Sequence, residues 1–199
     1  MTRNVKPRMD VVKREDKETR LKAFILNHLT SPGAVHARQP WTVVARSMES
    51  PVILALSALS ADIRTAGVTV SLLFAQAAPS ACVSAIDPVI GLAHEVRHTK
   101  DVRLLDAHEQ LRLDSTTCWV GDCMRREPAK RDAYECYATS CTDTANWSAK
   151  AFARLWAFGQ PVFITTSAPA LEERATPAAD EFPMPIAENP PTVVASTRH

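Results

Sequence analysis

The chain has 199 residues and a mass of 21.8 kDa, and 46% of it is hydrophobic, which excludes full disorder and fits one main domain with tails. With 23 basic and 22 acidic residues the formal net charge is +1, so global electrostatics argue for neither a nucleic-acid nor a membrane partner. No apolar run approaches the ~18–20 residues of a membrane span, no hydrophobic segment follows the charged N-terminus within signal-peptide range, and the five cysteines are an odd number; the expectation is a soluble cytoplasmic protein.

Residues 1–22 hold eight Lys/Arg against four Asp/Glu and few apolar side chains. They are expected to be a charged N-terminal tail, or a frayed helix running into Leu21–His28. The core domain is expected over 23–167. Ser50 as N-cap, Pro51 at the first helical position and Val52, Leu56, Leu59 and Ile63 on one face predict a helix, which Gly67 ends in a left-handed conformation. Val68, Val70, Leu72 and Phe74 alternate with Thr69 and Ser71 and predict a buried strand. Helix, glycine and buried strand together suggest an α/β domain.

Further short strands are expected at Val102–Leu105, around Leu111 and Leu113, and at Thr117–Val120, ended by Gly121. Pro128 is expected to open a helix through Tyr137. A last helix is expected from about Ala145 to Phe158, closed by Gly159 and Pro161, with a final strand at Val162–Ile164. Residues 168–199 contain six of the fourteen prolines. Proline at that density stops helices and central strands, so the C-terminal tail is expected to be disordered.

Two patterns could bind metal. His94-Glu95-Val96-Arg97-His98 is H-E-x-x-H, which on a helix projects two histidines one turn apart toward zinc, with the glutamate as general base. A strand at 94–98 would remove this reading. Cys118, Cys123, Cys136 and Cys141 have C-x4-C-x12-C-x4-C spacing, at the loose end of structural zinc sites; the competing reading is buried free thiols.

The third pattern is 107–126, AHEQLRLDSTTCWVGDCMRR. It resembles a degenerate, single copy of the phospholipase D motif, in which H-x-K is followed after four residues by Asp, then by a strand hairpin and G-S-x-N. His108 takes the His position and Gln110 the Lys position. Asp114 falls one residue short of the Asp position, and Gly121 follows at the family's usual interval. Asp122 stands where Ser is expected and Met124 where Asn is expected. The surroundings are similar too: the helix, glycine and strand over 51–74, the short strand before His108, and the aromatic helix with Phe152–Trp156. The resemblance covers roughly 41–165. It implies an α/β fold, a mixed sheet flanked by helices, forming a phospholipase D-like single unit.

The resemblance also implies a metal-independent phosphodiesterase without a cofactor, in which His108 attacks phosphorus to form a phosphohistidine. A second His, from a symmetric homodimer, would protonate the leaving group. Gln110 and Arg125 would contact a phosphodiester of nucleic acid or a lipid headgroup, with Gly121, Asp122 and Arg126 beside them, and Asp114 would orient the site. Gln110 carries no charge, ionised Asp122 repels a phosphodiester and Met124 donates nothing. A non-catalytic protein- or anion-binding module on the same fold is therefore the second reading, with the 121–131 surface as its contact. A zinc hydrolase on His94, Glu95 and His98 is the third.

Overall fold

The computed structural model describes residues 7, 9–31, 40–76, 88–99 and 107–162. The strands are β1 (Met9–Val12), β2 (Trp41–Ala45), β3 (Val70–Phe74), β4 (Ala93–His98), β5 (His108–Arg112), β6 (Cys118–Cys123), β7 (Ala133–Ala138) and β8 (Gln160–Pro161). They form one mixed sheet in the order β1-β7-β6-β5-β2-β3-β4-β8. β2, β3 and β4 are parallel neighbours, and the remaining pairs are antiparallel. The helices are α1 (Lys17–Leu29), α2 (Pro51–Ala58), α3 (Ser60–Thr65) and α4 (Thr142–Phe158).

The period of two in β2 sends its side chains into two cores. Trp41, Val43 and Ala45 join Leu21, Phe24 and Ile25 of α1, Val52 and Leu56 of α2, and Leu72 and Trp119. Val44 joins Leu73, Met124 and Phe152, with Leu155 and Trp156 of α4 against them. The sheet is thus covered on both faces, which explains why β3 is buried at every position.

The helix, glycine and strand unit folds as its pattern predicts, with one break at Leu59 that divides it into α2 and α3. Gly67 has φ +69°. Its N–H donates to Arg64 O at 2.9 Å while Val68 N–H donates to Ile63 O at 3.2 Å, the paired bonds of a Schellman end. Val68 and Ile63 are both buried in the same core, the apolar contact that accompanies this motif. Ser50 precedes Pro51 as expected, but its hydroxyl does not cap the helix; it serves Glu109, as described below.

Several expectations are corrected. Within residues 1–22, Met9–Val12 form a strand on β7 and Lys17 opens α1 with its side chain 1% exposed. The predicted helix over Pro128–Tyr137 is instead a short 3-10 turn, Pro128–Lys130, followed by β7. Ala133, Glu135 and Tyr137 share one face of that strand. The acid at an inward position hid the alternation from a hydrophobicity reading. β6 runs through Gly121 to Cys123 rather than stopping there. Gln160–Pro161 form β8, and Val162 adds one hydrogen bond from its N–H to Val96 O at 2.8 Å, while residues 163 and 164 of the expected final strand lie outside the described residues. Val102–Leu105 and the tail 168–199 lie outside the described residues, and no helix among those described is long and apolar enough to cross a membrane.

Candidate functional site at one end of the sheet

Antiparallel and parallel pairing together bring four chain segments to one end of the sheet. β2 and β3 end there, at Ala45 and Phe74; β5 starts there, at His108; β6 ends there and runs into the 3-10 turn Met124–Arg126. His108 pairs with Cys123 and Gln110 with Val120, so Gly121 and Asp122 together oppose Glu109. This is a β-bulge, which re-aims side chains at a strand end.

The bulge serves His108. Its Nδ1 lies 2.9 Å from Gly121 O. A carbonyl oxygen only accepts, so Nδ1 carries a proton, which in the neutral ring leaves the lone pair on Nε2. That is the tautomer a nucleophilic imidazole needs. Gly121 is required here because a Cβ would sit 2.5 Å from Trp119 Cζ2. The Trp119 ring cannot yield easily, because its Nε1–H donates to Glu135 Oε2 at 3.0 Å.

Asp122 is 8% exposed. Its Oδ1 accepts Cys123 N–H at 2.8 Å, and its Oδ2 lies 3.1 Å from Arg126 Nη1. Arg126, four residues on, is thus the ion-pair partner of this acid, and Arg125 is exposed at the same turn. The Met124 side chain is fully buried among Val44, Leu73 and Phe152 and offers the site no hydrogen-bond donor.

Gln110 is not delivered to this end as a phosphate donor. It is 2% exposed, and its Oε1 accepts the Ser148 hydroxyl of α4 at 2.7 Å. Asp114 is also elsewhere. Six extended residues separate it from His108, about 20 Å. There Asp114 Oδ1 accepts Thr116 N–H at 2.6 Å, Thr116 Oγ1 at 3.0 Å and Thr117 N–H at 2.6 Å, closing the β5–β6 hairpin. Partial burial pushes its carboxyl up, but these bonds from Thr116 and Thr117, with His28 nearby, outweigh that and hold it below its ordinary value. Asp114 is a turn residue and does not orient His108.

Sequence reasoning missed Glu109, Ser50 and Arg46. Glu109 is 0% exposed. Its Oε1 accepts Arg46 N–H at 2.8 Å and Ser50 Oγ–H at 2.5 Å, while Oε2 has no hydrogen-bond partner among the described residues. Burial pushes its carboxyl up from 4.5 to about 7, against the pull of Arg46 N–H, the Ser50 hydroxyl and the Lys17 ammonium, and with a push from Glu135. The signal was present: Glu109 shares a strand face with Leu111, and an acid on a core face marks a special position. Arg46 Nη1 donates to Met124 O at 2.8 Å, tying the β2 end to the β6 end.

The metal readings do not survive the geometry. His94 and His98 lie on strand β4. Four residues of strand separate them by roughly 13 Å, too far for one ion held at ~2 Å from each ring. Cys118, Cys136 and Cys141 share a small core, but Cys123 is at the far end of β6, so the four thiols do not converge. Burial also pushes the Cys118 thiol up to about 12, away from the thiolate that zinc takes. Among the described residues no group of three metal-ligating side chains is gathered.

No protein-family model matches the chain, and no curated protein is similar to it in sequence. Solved structures are similar. One is a phospholipase D family member, Nuc from Salmonella typhimurium, with a TM-score of 0.56 and 16% identity over 80% of this chain and 100% of that one. Another is NucT from Helicobacter pylori, with a TM-score of 0.53 and 12% identity over 79% of this chain and 99% of that one.

The chain has a phospholipase D-like fold. The α/β expectation, a mixed sheet with flanking helices, is met. Within this phospholipase D-like sheet, His108 and Gly121 are brought together by a hydrogen bond, and Asp122 and Arg126 by an ion pair. Gln110 is directed under α4 and Asp114 to the opposite end.

Proposed function

We propose that this phospholipase D-like domain binds a phosphodiester at the His108 end of its sheet and has lost efficient turnover. The observation that carries this reading is the burial of Gln110 against Ser148. The position from which a lysine would hold the phosphoryl oxygens is uncharged and packed under α4. Loss of one group that stabilises developing charge costs on the order of 10²–10³ in rate. Asp122 adds a negative charge beside the reaction path, though Arg126 offsets it. His108 keeps the nucleophile's tautomer, and Arg125, Arg126, Lys130 and Arg131 supply a cationic turn just beyond β6.

The test pairs binding with turnover on the full chain. A fluorescent single-stranded oligonucleotide and vesicles with anionic headgroups are titrated against wild type and an Arg125→Ala/Arg126→Ala double variant. One of the two probes is expected to bind, with affinity falling as salt rises and in the double variant. Chelator-resistant hydrolysis of a chromogenic phosphodiester that disappears in His108→Ala would replace this reading by an active phosphodiesterase. A symmetric homodimer would then be needed, because the chain has one motif and the leaving group requires a second histidine. No binding of either probe would remove the phosphodiester and leave a protein-binding module.

A further inference from the structure

A cavity of about 190 Å³ opens at this same sheet end. Its walls come from the segment after β2 (Arg46, Ser47, Glu49, Ser50), from Gln76 after β3, and from the turn after β6 (Glu127, Ala129, Lys130). His108 is not among the lining residues. The volume exceeds the ~150 Å³ cavity that takes a six-carbon ring such as benzene, so a phosphate group with a small ester substituent fits.

Glu127 stands between the two cations of this cavity. Its Oε2 lies 2.7 Å from Lys130 Nζ and its Oε1 3.5 Å from Arg46 Nη2. One carboxylate oxygen rests on each cation, as two oxygens of a phosphate would. The guanidinium is already oriented, because Nη1 is held by Met124 O. The Glu127 backbone has φ 51° and ψ 79°, a left-handed conformation that a residue with a side chain adopts at a cost. The hold on Arg46 is long, and the Glu127 side chain is 43% exposed.

Charge bookkeeping points the same way. With Glu127 in place, Arg46 and Lys130 face Glu127 and Glu49, and the wall is neutral. With Glu127 turned out, the two cations face Glu49 alone and the wall is +1. Ser47, Ser50 and Gln76 add neutral polar groups.

We infer that this cavity is a seat for a phosphate-type oxyanion, bridged by Arg46 and Lys130 and masked in the free protein by the Glu127 carboxylate. It is a different site from His108 and goes beyond the phosphodiester reading. An internal competitor lowers apparent affinity by the fraction of molecules left open; a seat open in a tenth of molecules binds about tenfold more weakly than an unmasked one.

Inorganic phosphate is titrated by calorimetry into the full chain and four variants. Glu127→Gln and Glu127→Gly are expected to bind about tenfold tighter than wild type, and Lys130→Ala more weakly. His108→Ala is expected to keep phosphate binding at this seat, whatever it loses at the His108 end. Glu127→Gly also relieves the left-handed strain, so it keeps the test valid if the Gln variant is poorly folded. A 5′-phosphorylated trinucleotide that competes with phosphate, where its 5′-hydroxyl form does not, assigns the seat to nucleic-acid ends; phosphate binding without that competition assigns it to a free oxyanion. Equal affinity of wild type and both Glu127 variants overturns the masked seat. Loss of phosphate binding in His108→Ala overturns it too and moves the anion to the His108 site. Tight phosphate binding in the Glu127 variants with no oligonucleotide or vesicle binding would instead retain the seat and remove the phosphodiester reading.

Discussion

Ser50 donates its hydroxyl hydrogen to Glu109 Oε1 at 2.5 Å across 59 residues of sequence. The bond ties the entry of α2 to the strand that carries His108. Arg46 N–H donates to the same oxygen, so one buried carboxyl group fixes the whole segment between β2 and α2. That segment forms one wall of the cavity.

Glu109 makes stability depend on pH. Its folded value is about 7 against an ordinary 4.5, so the folded chain holds a proton that the unfolded chain has lost. The contribution is fully present below about 4.5 and is lost as pH rises through about 7. At 1.36 kcal/mol per pH unit the loss is roughly 3 kcal/mol. Glu109→Gln, which cannot ionise, is expected to flatten that slope and to gain on wild type at pH 8. Urea midpoints at pH 5, 6, 7 and 8 decide it; parallel profiles for the two proteins would refute the assignment.

Lys17 and Glu135 form a buried pair, each 1% exposed, with Nζ 3.7 Å from Oε1. Glu135 Oε2 also accepts Trp119 Nε1–H at 3.0 Å and Tyr137 O–H at 2.7 Å. Lys17→Met leaves that carboxylate without its cation, and is expected to cost about 3–5 kcal/mol. Adding Glu135→Gln should recover much of the loss. Denaturant unfolding of the three variants gives the coupling, and strictly additive effects would mean that the pair does not interact.

Gly121→Ala places a methyl group 2.5 Å from the Trp119 ring. Overpacking of this kind costs about 1–3 kcal/mol. The movement that relieves it shifts the carbonyl that holds His108 Nδ1. A lower melting temperature together with a changed His108 ring resonance in NMR is the expected result; a shift in neither would show that the strand absorbs the methyl elsewhere.

Gln110→Lys restores the residue type of the phospholipase D motif without restoring its use. The new ammonium would lie under α4, where the Gln110 side chain meets Ser148. The expected outcome is a protein destabilised by several kcal/mol with no gain in phosphodiester hydrolysis. Measurable turnover in this variant would show that position 110 reaches the substrate.

The local beats of the fold were legible in the chain because they are written in short-range physics. The apolar spacing of 52–63, the glycine at 67 and the alternation of 68–74 need no distant partner to be read. The motif spacing placed Gly121 within reach of His108, and the hydrogen bond between them follows from it. β7 was missed because its inward Glu135 is stable only beside Lys17, 118 positions away. β1 was missed for the same reason, since a four-residue strand in a charged segment exists only through its pairing with β7.

The sequence by itself determined the α/β class and the helix, glycine and buried strand over 51–74, consequences of periodicity and turn chemistry. Tertiary structure alone decided what the polar residues do. Adjacent side chains in β5 go to opposite faces of the sheet, so Glu109 meets Ser50 and Arg46 while Gln110 meets Ser148. A strand's alternation assigns faces, but only the packed partner on each face sets whether a polar group binds a ligand, closes a turn or anchors a helix. Asp114, Gln110 and Glu127 each took a role from such a partner: a hairpin, a helix, and two cations, one just after β2 and one on the 3-10 turn Pro128–Lys130.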